Sequence, residues 1–140
     1  MKIFLADGRI GNQIFQYLFL KTIQDNNEKI IVSEFEELIE VFQINDFINI
    51  NKNNRWIRAL LFRICKPILN FLSNKKIISS IVIKHEKVLN NYIRESTTFN
   101  SIHGIVKRIT FVKLGFFQSE IYFDKSLTNN LKFKEIFLMN

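Results

Sequence analysis

Gly8, Arg9, Gly11, Asn12 and Gln13 stand together in the run GRIGNQIFQY, close to the amino terminus. Glycine lets a backbone approach a ligand closely, and it accepts positive φ. Asn and Gln carry donors and acceptors, and Arg carries a permanent cation. At a helix start, such a loop offers free N–H groups and a partial positive charge to an anion such as phosphate. Asn12 has a side chain suited to capping that helix. The spacing is neither the G-x-G-x-x-G of dinucleotide folds nor a P-loop, which would need Gly-Lys-Ser/Thr. From the residues alone, ligand contact and plain packing both remain open for this loop. Glu34, Glu36, Glu37 and Glu40 form a second cluster, with acid/base chemistry as one reading. A solvated face of a short helix accounts better for them.

These residues need elements to hold them. The apolar run at 2–6 reads as a buried strand. Ile14, Phe15, Leu18 and Ile23 recur at helical spacing, so a helix is expected over 13–24. The β-branched run at 29–33 reads as a second strand, parallel to the first, completing a right-handed βαβ unit. Further strands are expected at 78–84 and 108–116, a short helix at 86–93, and a loop over STTFNS. Between them lies RWIRALLFRICKPILNFL. Arg55, Arg58, Arg63 and Lys66 fall on one helical face, and Trp56, Leu60, Leu61, Ile64 and Ile68 take up the rest. Pro67 should bend or end that helix. Its expected place is on the sheet, with the basic face in water. Its other use would be to lie on a membrane surface. Ser119 is placed to cap a helix over the residues that follow it. The order of elements predicts an α/β domain, a Rossmann-like parallel sheet with flanking helices.

GRIGNQIFQY resembles the opening of the family 11 glycosyltransferases, the α-1,2-fucosyltransferases. These carry a strand followed by Gly-Gly-x-Gly-Asn-Gln-x-Phe-Gln-Tyr. Gly8, Gly11, Asn12, Gln13, Phe15, Gln16 and Tyr17 match, and Arg9 replaces the second glycine. Far along the chain, LGFFQSEIYF is similar to the family's Gly-Tyr-Phe/Trp-Gln-Ser-Glu-x-Tyr-Phe, with Gln118, Ser119 and Glu120 in place. FEELIEVFQI is a fainter third echo. The resemblance implies the N-terminal, acceptor-side domain of a two-domain, GT-B-like enzyme, covering 1–140 as a single unit without the C-terminal donor-binding domain. Such enzymes move fucose from GDP-fucose to the 2-hydroxyl of a galactoside, invert the anomeric centre and use no metal or other cofactor. Their downstream His-x-Arg-x-Gly-Asp motif does not occur here. His85 is followed by Glu-Lys-Val and His103 by Gly-Ile-Val. A truncated or split member is therefore expected, inactive alone or completed by a second polypeptide. By resemblance, Gly8, Arg9, Gly11, Asn12 and Gln13 border the interdomain cleft, with Asn12 contacting the donor or the reacting groups. No catalytic base is assigned.

Composition sets the remaining bounds. The 140 residues are 47% hydrophobic, which suits one domain with a real core. The net charge of +7 fits an anionic partner, whether nucleotide, membrane or nucleic acid. No nucleic-acid-binding motif is present, so no such partner is expected. The single cysteine, Cys65, excludes an internal disulfide. His85 and His103 are isolated, and no spacing suggests a metal site. The start has no signal-peptide pattern, and no apolar run is long enough to span a bilayer. A cytoplasmic protein is expected, with contact to the inner face of the membrane as its one peripheral option. The alternative to a transferase is a non-catalytic module that binds a membrane surface or partner through residues 55–66.

Overall fold

The computed structural model describes residues 1–5, 9–50, 54–86, 96–113 and 125–134. A six-stranded sheet runs in the order β3-β2-β1-β6-β4-β5. Its strands are β1 (Lys2–Leu5), β2 (Ile30–Ser33), β3 (Phe47–Asn49), β4 (Ile78–Glu86), β5 (Ser96–Ile102) and β6 (Val106–Val112). β1 pairs in parallel with β2 and β6, β2 with β3, and β4 with β6. Only β5, at the edge, runs antiparallel, against β4. The protein is thus an α/β domain with a largely parallel, Rossmann-like sheet, as the βα order predicts.

Helix α1 (Ile10–Thr22) and the short α2 (Glu36–Val41) cover one face. Alternation along β1 explains the layering. Phe4 points to the α1 side, where it packs with Leu18, Ile30, Val32, Phe35 and Val112. Ile3 and Leu5 point the other way, toward Leu61, Ile78 and Phe111. Phe4, Phe35 and Phe47 form a chain of ring contacts at 6.3 Å centroid spacing, the first of them edge-to-face. Fully burying each such ring contributes roughly 2–3 kcal/mol. The opposite face is covered by α3 (Arg55–Leu60), which passes through a π-helical turn (Leu61–Cys65) into α4 (Lys66–Asn74).

Three departures from the expected elements have simple causes. β3 is only three residues long and follows the acidic α2, so no periodic run announces it. STTFNS, expected as a loop, lies within β5. Its hydroxyl-rich composition suits an edge strand, where threonine is favoured and polar side chains are tolerated. Pro67 neither ends nor breaks its helix. A π turn lies just before it, where Pro67 falls in the first turn of α4 and its missing N–H is tolerated, and the helix runs on to Asn74. The helix expected at 86–93 falls almost wholly outside the described residues.

Tyr17 is buried in the α1 face, with its ring 5.1 Å from that of Phe47. Burial, with help from the Asp46 carboxylate, pushes its phenol from 10.0 up to about 12. Between those values the unfolded tyrosine ionises and the folded one does not. Stability is therefore intact below pH 10 and declines above it, by up to about 1.4 kcal/mol per pH unit. Urea melts of wild type and Tyr17→Phe at neutral pH and at pH 11 should show the variant losing less with alkali.

Candidate functional site

The carboxyl ends of β1, β2 and β3, together with the starts of α1, α2 and α3, form one edge of the sheet. β1 and β6 are neighbours there, with Phe4 opposite Val112. From β1 the sheet extends through β2 and β3 on one side and through β6 and β4 on the other. This is the switch point at which open α/β sheets leave a crevice.

α1 begins at Ile10, with Arg9 in the extended N-cap position and no side-chain cap of its own. The helix therefore starts earlier than the apolar spacing predicts. Asn12 is not its cap but lies in its first turn, half-buried. The cap comes instead from α2, where the Glu37 carboxylate accepts the Ile10 N–H at 2.9 Å. In return, the Gln13 side-chain oxygen accepts the Leu38 N–H at 2.9 Å. The two helix starts thus cap one another. Gln13 is buried by this exchange, so it stands behind the surface rather than on it. Gln16 and Tyr17 are buried too. The motif therefore divides into two parts. Arg9, Gly11 and Asn12 remain accessible to different degrees, while Gln13, Gln16 and Tyr17 hold the packing.

Gly11 is exposed, and a Cβ built on it would meet nothing within 4 Å. Neither packing nor a positive φ requires glycine there. Helix propensity alone predicts that Gly11→Ala raises stability by about 0.5–1 kcal/mol. A thermal melt should show the gain. A variant that is more stable yet loses ligand would place the ligand against this backbone.

The acidic cluster is more engaged than a solvated face. Glu34 bonds the Arg58 Nε at 3.4 Å, linking the end of β2 to α3. Its φ of 62° is a left-handed conformation that costs a non-glycine residue on the order of 1 kcal/mol. Glu36 accepts from the Asn49 side-chain amide at 3.3 Å. None of these roles was readable from local sequence, because the partners lie 13 to 27 residues away. Glu37 also changes the electrostatics. It sets a carboxylate at the α1 start, where an incoming phosphate would meet a like charge.

Gly8, Gln118, Ser119 and Glu120 lie outside the described residues. The second motif-like segment follows Lys113 directly, and Lys113 follows the last residue of β6.

Two clefts lined by described residues lie at the opposite, amino edge. One, of about 430 Å³, is bordered by Lys21, Asp25, Glu28 and Asp46. The other, of about 240 Å³, is bordered by Lys2, Glu28, Ser79, His103 and Thr110. Their charges are largely used internally. Lys2 is buried and pairs with Glu28 and, at 3.0 Å, with Asp25, while the N-terminal ammonium pairs with Glu28 at 3.0 Å. Lys2 holds the Asp25 carboxyl below its usual range. Burial alone would raise Glu28, but Lys2 and the N-terminal ammonium outweigh it and bring it down. Both groups therefore stabilise the fold above the carboxylate range, and that contribution is lost as pH falls through their lowered values. These clefts read as structural ion-pair sites. Among the described residues, no group of three or more His, Cys, Asp or Glu side chains is placed to hold a metal.

Comparison with protein-family models, with curated proteins and with solved structures finds no match to this chain.

Proposed function

We propose that this chain is the acceptor-side half of an inverting α-1,2-fucosyltransferase working in the cytoplasm, with GDP-fucose as donor and a galactoside as acceptor. One observation carries the reading. The two segments that resemble the family motifs are separated by about a hundred residues in sequence. They nevertheless adjoin the carboxyl ends of two neighbouring parallel strands, β1 and β6, at the switch point of the sheet. A pair of unrelated matches has no reason to follow two neighbouring strands of one sheet.

The chemistry divides between two halves. This half presents a galactoside with the exposed backbone around Gly11, the Asn12 amide and the Arg9 cation. The other half supplies the positive charge that stabilises the departing diphosphate, through the His-x-Arg-x-Gly-Asp motif absent from these residues. The carboxylate of Glu37 agrees with this division, because it disfavours a phosphate at the α1 start.

Titration of the isotope-labelled chain with a terminal β-galactoside tests the acceptor role. Amide shifts are expected at Arg9, Gly11 and Asn12, with none at Asp25, Glu28 or Ser79. Shifts confined to the amino-edge clefts, or no shift at millimolar sugar, would overturn it.

A further inference from the structure

Trp56, Leu60, Ile64, Ile68 and Phe71 all point outward from the helix that covers the second face of the sheet, Trp56 being 87% exposed. The opposite side of the same helix, through Ile57, Leu61, Phe62, Cys65, Leu69 and Leu72, packs against the sheet. The helix is therefore apolar on two faces. The sequence expectation placed a basic face in water; the structure places an apolar stripe there, with the cations beside it.

The π turn is what keeps the stripe straight. In an unbroken α-helix, residues four apart drift by about 40° per step, so a long series of such steps would wind around the helix. The wider turn at Leu61–Cys65 takes up an extra residue and offsets that drift. Large apolar side chains consequently stay in line from Trp56 to Phe71, over roughly 22 Å at 1.5 Å per residue.

We propose that this outer face lies in the interface of an anionic lipid bilayer. Charge selects that occupant. Residues 47–85 contain eight Lys or Arg and no Asp or Glu, while the rest of the chain carries twelve against thirteen. The excess positive charge of the protein thus falls within this stretch of sequence. Arg55, Arg58 and Arg63 are exposed along it, and Lys75 and Lys76 are exposed just past its end. A stripe of Leu, Ile and Phe with a terminal Trp and flanking cations matches a helix lying in the plane of the headgroups, its apolar side chains about 5–10 Å deep. A second copy of the chain fits poorly, because an isologous contact would bring two predominantly basic surfaces together. Among the described residues no helix is long and apolar enough to cross a membrane, so the helix lies on the bilayer rather than in it.

The proposal does not rest on the transferase reading, since the stripe lies over the face of the sheet opposite α1. Trp56 is the only tryptophan, so its emission reports on the stripe directly. Mixing the full chain with phosphatidylglycerol-containing vesicles should shift that emission to the blue and co-sediment the protein. Pure phosphatidylcholine vesicles should bind at least tenfold more weakly, and added salt should release the protein. Ile64→Glu plus Ile68→Glu should abolish both signals, and Arg55→Glu plus Arg63→Glu should weaken binding at least tenfold. All four positions are exposed, so folding should survive, as a circular-dichroism melt would show. Absence of a blue shift with anionic vesicles, or equal, salt-insensitive binding to both vesicle types, would overturn the proposal. So would a concentration-dependent dimer that Ile64→Glu plus Ile68→Glu dissolves while vesicle binding persists. The galactoside titration should be unchanged in these variants.

Discussion

Gly104→Ala should destabilise the protein by on the order of 3 kcal/mol, a large part of a marginal domain's stability. A Cβ at this position would sit 2.2 Å from the Ile78 carbonyl carbon, 2.5 Å from its oxygen and 2.6 Å from the Ser79 nitrogen. All three are backbone atoms at the start of β4, so no side chain can swing aside. The chain is pinned on both sides of the contact. Gly104 N–H donates to the Ser79 hydroxyl at 3.0 Å, Ile105 N–H to the Lys76 carbonyl at 3.0 Å, and Val106 N–H to the Ile77 carbonyl at 2.8 Å. Lifting the loop enough to admit a methyl group would break these bonds and disturb the pairing of β4 with β6. Urea melts of wild type and variant give the difference. Gly11→Ala makes the contrast, as the same chemical change with the opposite sign, because that position is open and helical.

The second large effect concerns catalysis. The purified chain alone should transfer no fucose. Leaving GDP gathers negative charge, and a positioned arginine in a dry cleft stabilises it by several kcal/mol, a rate factor of a hundred or more. Arg9 is the one cation in the glycine run. It sits at the α1 start, where the Glu37 carboxylate caps the neighbouring Ile10 amide and opposes its charge. Nothing else among the accessible residues of that loop can stand in for the missing motif. An assay for GDP release with GDP-fucose and a galactose-terminated acceptor should stay at background for this chain, and Arg9→Ala should leave that background unchanged.

Much of the sheet was legible because its strands are short apolar runs that parallel packing buries on both faces. β1, β2, β4 and β6 fall close to their expected places. The order of the strands was not legible, since nothing local tells β6 to insert between β1 and β4. β5 was missed because an edge strand tolerates Ser, Thr and Asn, which elsewhere mark loops. In the candidate site, the helix was readable from spacing, but Gly11, expected in the loop before it, lies within its first turn, and the true cap was not readable. Asn12 looked suitable in sequence, and a carboxylate 27 residues away supplied the function. Helix 55–74 shows a different limit. Its Leu, Ile and Phe residues occur on both sides, so periodicity could not say which side meets the sheet. The π turn, which keeps the outer stripe aligned, has no sequence signal besides Pro67.

The central claim is that the edge formed by β1, β6 and the start of α1 is the acceptor side of a fucosyl-transfer site. Its most direct test is GDP release from GDP-fucose with a galactose-terminated acceptor, measured on this chain, on a family C-terminal half, and on the two mixed. The account predicts background release from each alone and turnover from the mixture, reduced at least tenfold by Asn12→Ala with the melting temperature unchanged. Clear turnover by this chain alone, abolished by Arg9→Ala, would contradict it, as would a mixture whose rate is indifferent to Asn12.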